Sequence, residues 1–228
     1  MNALIELDNN ILAFFNGSES LFFDNLAVIL TSGLTWIPLY ISLLYVVIKN
    51  NETMKQIMLV LACVLLCVFL TDGITDFIVK PLMARQRPTY DPLMKYSIDV
   101  VNDVRATGFS FFSAHAANTF GIALFFSLLI RNSKFVIAII LWSLLNCWTR
   151  LYLGVHYPSD IFVGLLWGAF VGCVVYYIYL RTYLKMSPAF NYISSQYTST
   201  GYNHADIDVV ILVLVLTFLY AIIKAMIF

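Results

Sequence analysis

Long apolar runs separated by short polar hinges set the pattern of this chain: Leu21–Ile48, Ile57–Val79, Ala116–Ile130, Phe135–Trp148, Ile161–Leu180 and Val209–Phe228. The hydrocarbon core of a bilayer is about 30 Å thick and takes about 20 helical residues to cross. Each run therefore predicts a transmembrane helix, the third and fourth being short for the task. Ahead of them Leu4, Ile5, Leu7, Ile11, Leu12, Phe14 and Phe15 recur at helical spacing among Glu6, Asp8, Asn9 and Asn10. That is the pattern of an amphipathic helix lying in the membrane interface, closed by Gly17 and Ser18. The expected fold is all-α: a polytopic membrane helical bundle of about six transmembrane helices plus an N-terminal interfacial helix. The expected division is residues 1–20 for the interfacial helix, 21–180 for the membrane domain carrying the chemistry, 181–208 for a polar loop and 209–228 for a last transmembrane helix.

Composition narrows the class further. With 61% hydrophobic and only 11% charged residues, and a mean hydropathy of +0.85, the chain leaves no room for a separate soluble domain. A formal charge of zero without a solvated Lys/Arg cluster excludes a nucleic-acid partner, and no obligatory protein partner is evident. Cys63, Cys67, Cys147 and Cys173 fall inside the apolar runs, where they read as small apolar residues. The N-terminus has neither the basic segment nor the small-residue cleavage site of a removable leader.

Basic residues in short loops mark the cytoplasmic side. Lys49, Lys55, Arg131, Lys134, Arg181 and Lys185 would all share one face. The opposite face receives the helix ends bearing Lys80, Ser113, His115, Arg150, His156 and Asp160, with Arg85, Lys95 and Arg105 diluting the contrast. The expected protein is integral to a bacterial inner membrane, its active site facing the periplasm or exterior.

Ionisable residues are costly against lipid and mark function when they recur there. Connectivity brings these ends together, and they supply the parts of a metal-free phosphoester hydrolysis. Arg87 and Arg150 offer planar forks for phosphoryl oxygens and Lys80 a point charge. Ser113 sits at a helix N-cap, where its hydroxyl and the free amides of Ala114 and His115 can cradle an anion. His156 can attack phosphorus through a neutral ring nitrogen while Asp160 orients the ring, and His115 can protonate the leaving oxygen. Two histidines in opposite starting states predict a bell-shaped pH profile. Asp72, Asp76 and Lys80 form an i, i+4, i+8 line, so the two carboxylates are expected to hold Lys80 in place.

These residues resemble the signature of the type 2 phosphatidic acid phosphatase superfamily, which also includes vanadium haloperoxidases and bacterial acid phosphatases. Lys80, six intervening residues and then Arg87-Pro88 match its first part. Phe112-Ser113-Ala114-His115 matches the second, with Phe for Pro and Ala for Gly. Thr149-Arg150, His156 and Asp160 match the third at the family spacing, with Thr for Ser. The resemblance covers roughly 22–180. It implies His156 as phosphohistidine nucleophile, Asp160 as its partner, and His115 as leaving-group acid. Lys80, Arg87, Ser113, Ala114 and Arg150 would bind phosphate, with no metal and no cofactor. It further implies a membrane lipid phosphate as substrate. Lipid A phosphate or undecaprenyl pyrophosphate is favoured by the chain's bacterial compactness, with phosphatidylglycerol phosphate and phosphatidic acid as the other candidates.

Some readings stay open at this level. A lipid-to-lipid phosphotransferase or a catalytically silent lipid binder would keep the same pocket, and Lys80 and Arg87 alone could be headgroup anchors. The segment 89–112 is either a cover for the site or an ordinary connection. His204 is expected to be solvated in the polar loop.

Overall fold

The computed structural model describes residues 2–186 and 195–227. Among these, every regular element is helical, and β pairing is confined to one isolated bridge, Tyr197–Asn203. The α-helices are α1 (Asn2–Phe15), α2 (Leu21–Thr31), α3 (Ile37–Lys49), α4 (Met54–Val68), α5 (Lys80–Met83), α6 (Ala114–Ile130), α7 (Ser133–Tyr152), α8 (Pro158–Met186) and α9 (His204–Ile227).

The first apolar run is not one straight helix. It breaks at Ser32 into a short 3₁₀ turn, Gly33–Trp36, and the two halves are bent by 69°. A break orphans the last carbonyls of the preceding helix. Here two side chains from beyond the break satisfy them: Trp36 Nε1 donates to Leu30 O at 2.8 Å and Thr35 Oγ1 to Ile29 O at 2.6 Å. The second run starts at a Thr53/Gln56 capping box and continues from α4 through two π-type turns, Phe69–Gly73 and Thr75–Val79, into α5. Trp167 Nε1 of α8 donates to Leu70 O in the first wide turn at 3.2 Å.

Among the described residues, four helices are long and apolar enough to cross a membrane alone: Met54–Met83, Ser133–Tyr152, Pro158–Met186 and His204–Ile227. The bent α2–α3 pair makes a fifth candidate, and α6, at 17 residues, is shorter. Against the expected six crossings, the described helices give four by length and composition, or five with the bent pair. Helix α8 runs past the expected Leu180 to Met186, and α9 begins at His204. The loop expected over 181–208 is correspondingly shorter, and its residues 187–194 lie outside the described residues. His204 is not free in a loop: it opens α9, with Nδ1 2.9 Å from Asn132 Nδ2.

The closest packing joins α6 and α8. Gly164, Gly168 and Gly172 lie four residues apart along α8, and a Cβ on them would fall 2.6, 2.4 and 2.8 Å from the carbonyls of Ser113, Ala117 and Gly121. Small residues let helix backbones touch in a membrane. The seam registers the starts of both helices, where the Ser113 N–H donates to Asp160 O at 3.0 Å. Gly168→Val must therefore push the helices apart and should lower the thermal midpoint in detergent by roughly 5–10 °C. Gly33→Ala, with no atom within 4 Å of the added methyl, should leave it unchanged.

Candidate active site

Three chain segments converge beside the starts of α6 and α8. Helix α7 ends at Tyr152, and a tight turn leads to Pro158, the first residue of α8. Gly154 makes that turn with φ +62, and a Cβ there would meet Ile98 Cγ2 at 2.6 Å. The turn buries His156, 2% exposed, against the fully buried Asp160 one helical turn on.

Asp160 Oδ2 lies 3.5 Å from His156 Nδ1, accepts the Tyr157 N–H at 3.0 Å and accepts a hydrogen bond from Ser110 Oγ. Ser110 Oγ is itself 3.4 Å from His156 Nδ1. On the other side of the ring, Arg87 Nη1 lies 3.2 Å from His156 Nε2. A guanidinium can only donate, so Nε2 carries the lone pair and Nδ1 the proton. The ring is thus a neutral imidazole with its free nitrogen turned toward a cation.

Burial is the main reason the His156 pKa drops from 6.5 to about 3; Arg150 and Arg87 add to the drop, while Asp160 opposes it. Because the folded-state value is the lower one, the native protein binds fewer protons than the unfolded chain between about pH 3 and 6.5. Stability present above pH 6.5 is lost as the pH falls through that window, by up to about 1.4 kcal/mol per pH unit. The thermal midpoint of the wild type should fall more steeply below pH 6.5 than that of His156→Asn, measured in the same detergent.

Arg87 is 5% exposed. Its Nη1 donates to Val155 O at 2.9 Å, and its Nε to Thr107 O and Gly108 O at 3.1 and 3.2 Å. A cleft of about 340 Å³ lined by Gln86, Arg87, Tyr90, Thr107, Gly108 and Phe109 borders it. The end of the 89–112 segment is therefore built into the site through these carbonyls and Ser110. Arg150 Nη1 donates to Thr31 Oγ1 at 2.6 Å, whereas its buried Nε has no partner among the described residues. An orphaned, buried guanidinium donor is a place for an anion. Ser113 caps α6, accepting from the Ala116 N–H at 3.4 Å, and helical geometry leaves the Ala114 and His115 amides without intrahelical acceptors. His115 is exposed and lies in the electrostatic field of Arg150, Lys80 and Arg87.

Lys80 is held by Asp76 at 2.6 Å. Asp72 lies in the electrostatic field of Asp76 and Lys80, and its hydrogen bond goes to α6, accepted from Asn118 Nδ2 at 3.0 Å.

Several polar groups that contact these residues belong to no motif in the sequence. Arg85 Nη1 donates to Asp160 Oδ1 at 2.8 Å and Nη2 to Asp8 Oδ2 at 2.7 Å. Asp8 also accepts from Ser159, from its N–H at 2.8 Å and its hydroxyl at 2.6 Å. Burial works against the Arg85 charge, but Asp160 and Asp8 outweigh it and hold its pKa above the ordinary guanidinium value. The one sequence signal is that Asp8 is a carboxylate, and Arg85 a cation, in a chain poor in both. Among the described residues, no group of three or more His, Cys, Asp or Glu is arranged to hold a metal.

The arrangement can bind an anion, present a neutral imidazole nitrogen to it, and balance the charge that develops on the ring. Comparison with known proteins points the same way. The sequence model of the PAP2 superfamily matches residues 57–183. The chain is 38% identical to a lipid A 4'-phosphatase of Bacteroides thetaiotaomicron over 177 residues, covering 77% of this chain and 78% of that protein. A lipid A 4'-phosphatase of Porphyromonas gingivalis is 30% identical over 182 residues, 79% of this chain and 76% of that protein. A decaprenylphosphoryl-5-phosphoribose phosphatase of Mycobacterium tuberculosis is 37% identical over 98 residues, 43% of this chain and 50% of that protein. No solved structure matches. With more than half its length matched by the family and two relatives covering over three quarters of it, the chain belongs to the PAP2 superfamily.

Proposed function

We propose that this protein is a metal-independent phosphatase of membrane lipids that acts through a phosphohistidine on His156, with lipid A 4'-phosphate as the favoured substrate. The carrying observation is the state of His156: a buried, neutral ring whose unprotonated Nε2 faces Arg87 while Asp160 and Ser110 stand behind Nδ1.

In this reading the phosphoryl group enters between Arg87, Arg150, Lys80 and the first-turn amides of α6, displacing Arg87 Nη1 from Nε2. Nε2 attacks phosphorus, the bond to the sugar oxygen breaks, and His115 gives that oxygen a proton. Positive charge formed on the imidazole is balanced by Asp160. His115 then takes a proton from water, water attacks phosphorus, the Nε2–P bond breaks, and inorganic phosphate leaves. The cations lower the barrier because they are fixed before charge redistributes.

Lipid A leads over undecaprenyl pyrophosphate, phosphatidylglycerol phosphate and phosphatidic acid because the relatives covering most of the chain carry that activity in their names. Six membrane crossings and an inner-membrane location with a periplasmic site belong to the same reading. The supporting observation is that α3 ends at Lys49 and α6 stops at Arg131, at the ends of the bundle away from Ser113 and His156.

The test is phosphate release in detergent with chelator present, on a panel of the four lipids, with mass spectrometry to locate the phosphate lost. Chelator-resistant release from lipid A at the 4' position is the expected result. A strict requirement for added Mg²⁺ or Zn²⁺ would overturn the metal-free mechanism, and turnover of another lipid alone would reassign the substrate.

A further inference from the structure

Resting on the His156 reading, we propose that Asp8 and Arg85 form a positioning pair for Asp160, which makes the N-terminal helix α1 a working part of the catalytic centre.

Asp160 is the group on which the orientation and charge of His156 depend, and its two oxygens are held separately. Oδ2 is taken by Ser110, the Tyr157 N–H and the histidine. Oδ1 is held by Arg85 Nη1 at 2.8 Å. Without that bond the carboxylate could rotate about its terminal torsion, which is soft, and lose its alignment on Nδ1.

Arg85 is itself fixed from three directions. The same Nη1 reaches Ser159 Oγ at 2.7 Å, Nη2 reaches Asp8 at 2.7 Å, and the guanidinium carbon lies 3.9 Å from the centre of the Tyr157 ring. This differs from Arg150, which has a buried donor without a partner among the described residues. Arg85 faces protein carboxylates and a hydroxyl, whereas the phosphate-binding role falls to Arg87 and Arg150.

Asp8 closes the arrangement. It is 7% exposed on a helix whose Ile5, Leu7 and Phe14 are exposed, so α1 turns its carboxylate inward, away from water. Besides binding Arg85, it accepts the Ser159 N–H in the first turn of α8, the turn that carries Asp160. One carboxylate thus steadies both the cation touching Asp160 and the backbone bearing it. Leu12, fully buried near Ile98 and Tyr157, seats the next turn of α1.

The experiment uses the full chain in detergent with lipid A in mixed micelles, comparing Asp8→Asn, Arg85→Gln, Arg85→Lys, the Asp8→Asn/Arg85→Gln double variant and His156→Asn. Neither member of a positioning pair touches the phosphate. Each of Asp8→Asn and Arg85→Gln should therefore lower kcat about 10- to 100-fold, the effect of removing an orienting partner behind a reacting group. KM should move less than about threefold. Arg85→Lys should restore part of the lost kcat. The double variant should be no slower than Arg85→Gln, because the two residues act through one contact.

A raised KM at unchanged kcat would make Arg85 a substrate-binding residue and overturn the proposal. Losses that multiply in the double variant would do the same by making the two effects independent. If Arg85→Gln does not fold, Asp8→Asn decides alone, since it leaves Arg85 and Asp160 in place. The underlying reading fails separately: His156→Asn retaining turnover would sink the phosphohistidine, whereas an inactive His156→Asn beside fully active Asp8→Asn and Arg85→Lys would sink only the positioning pair.

Discussion

His156→Asn is expected to reduce phosphate release from lipid A by at least about 10⁴-fold, the scale on which removing one member of a nucleophile–orienter unit acts. Asparagine is the informative replacement because the site is closed around the ring. His156 is 2% exposed, so truncation to alanine would leave a cavity between Arg87 and Asp160 and bring their charges into direct attraction. An asparagine carbonyl can still accept from Arg87 Nη1, as Nε2 does now, but it cannot form a phosphoramidate. Binding of the lipid should survive, because Arg87, Arg150 and Lys80 are untouched. The measurement is a phosphate-release time course with chelator, alongside a size-exclusion profile showing the variant folded. Release within tenfold of wild type would mean that water attacks phosphorus directly.

What the sequence discloses follows from how local each constraint is. Lys80, Arg87, Ser113, His115, Arg150, His156 and Asp160 can be named as candidates because phosphate chemistry would need those side-chain types at helix ends, and the apolar runs show where the ends fall. The Ser113 N-cap is legible for the same reason, and the structure has it. Arg85 is not, because its partners lie 77 and 75 residues away in Asp8 and Asp160. In the sequence it reads as one more basic residue blurring the charge asymmetry of the loops. Ser110 is equally silent, being an uncharged residue 50 positions from the carboxylate it serves. Asp8 misleads: on an amphipathic pattern a carboxylate reads as solvated, and only the docking of α1 against α8 turns it inward.

Geometry is lost in the same way as partnership. The run Leu21–Ile48 is uniformly apolar, so nothing in hydropathy marks the bend. It is supported by the Trp36 indole and the Thr35 hydroxyl, which reach back six residues to satisfy Leu30 and Ile29. Helical periodicity lines Asp72 up with Asp76 and Lys80, but it does not show the hydrogen bond that Asp72 accepts from Asn118 on another helix. The glycines of α8 are visible in the sequence, but the carbonyls they approach belong to another helix.

The second large effect is expected at Arg87, and it separates charge from shape. Arg87→Lys keeps the cation but removes the planar fork that now spans Val155 O, Thr107 O, Gly108 O and His156 Nε2. A lysine ammonium offers three donors from a single nitrogen. It cannot serve carbonyls on both the 107–108 backbone and the His156 turn and still meet a phosphoryl oxygen. Losing one fixed donor to developing charge costs about 2.7–4 kcal/mol, so kcat/KM should fall about 10²- to 10³-fold. Buried carbonyls left without a donor add a stability cost of about 1–3 kcal/mol each, and the thermal midpoint should fall with the activity. Arg150→Lys is the matched comparison. Arg150 donates one bond to Thr31 and has a buried Nε without a partner among the described residues, so its replacement should lower kcat/KM by about the same factor while moving the midpoint less. Phosphate release and thermal scans on the two variants check this together. Equal loss of stability in both would mean that Arg87 acts on phosphate only as a charge, and that the bonds to Thr107, Gly108 and Val155 do not shape the site.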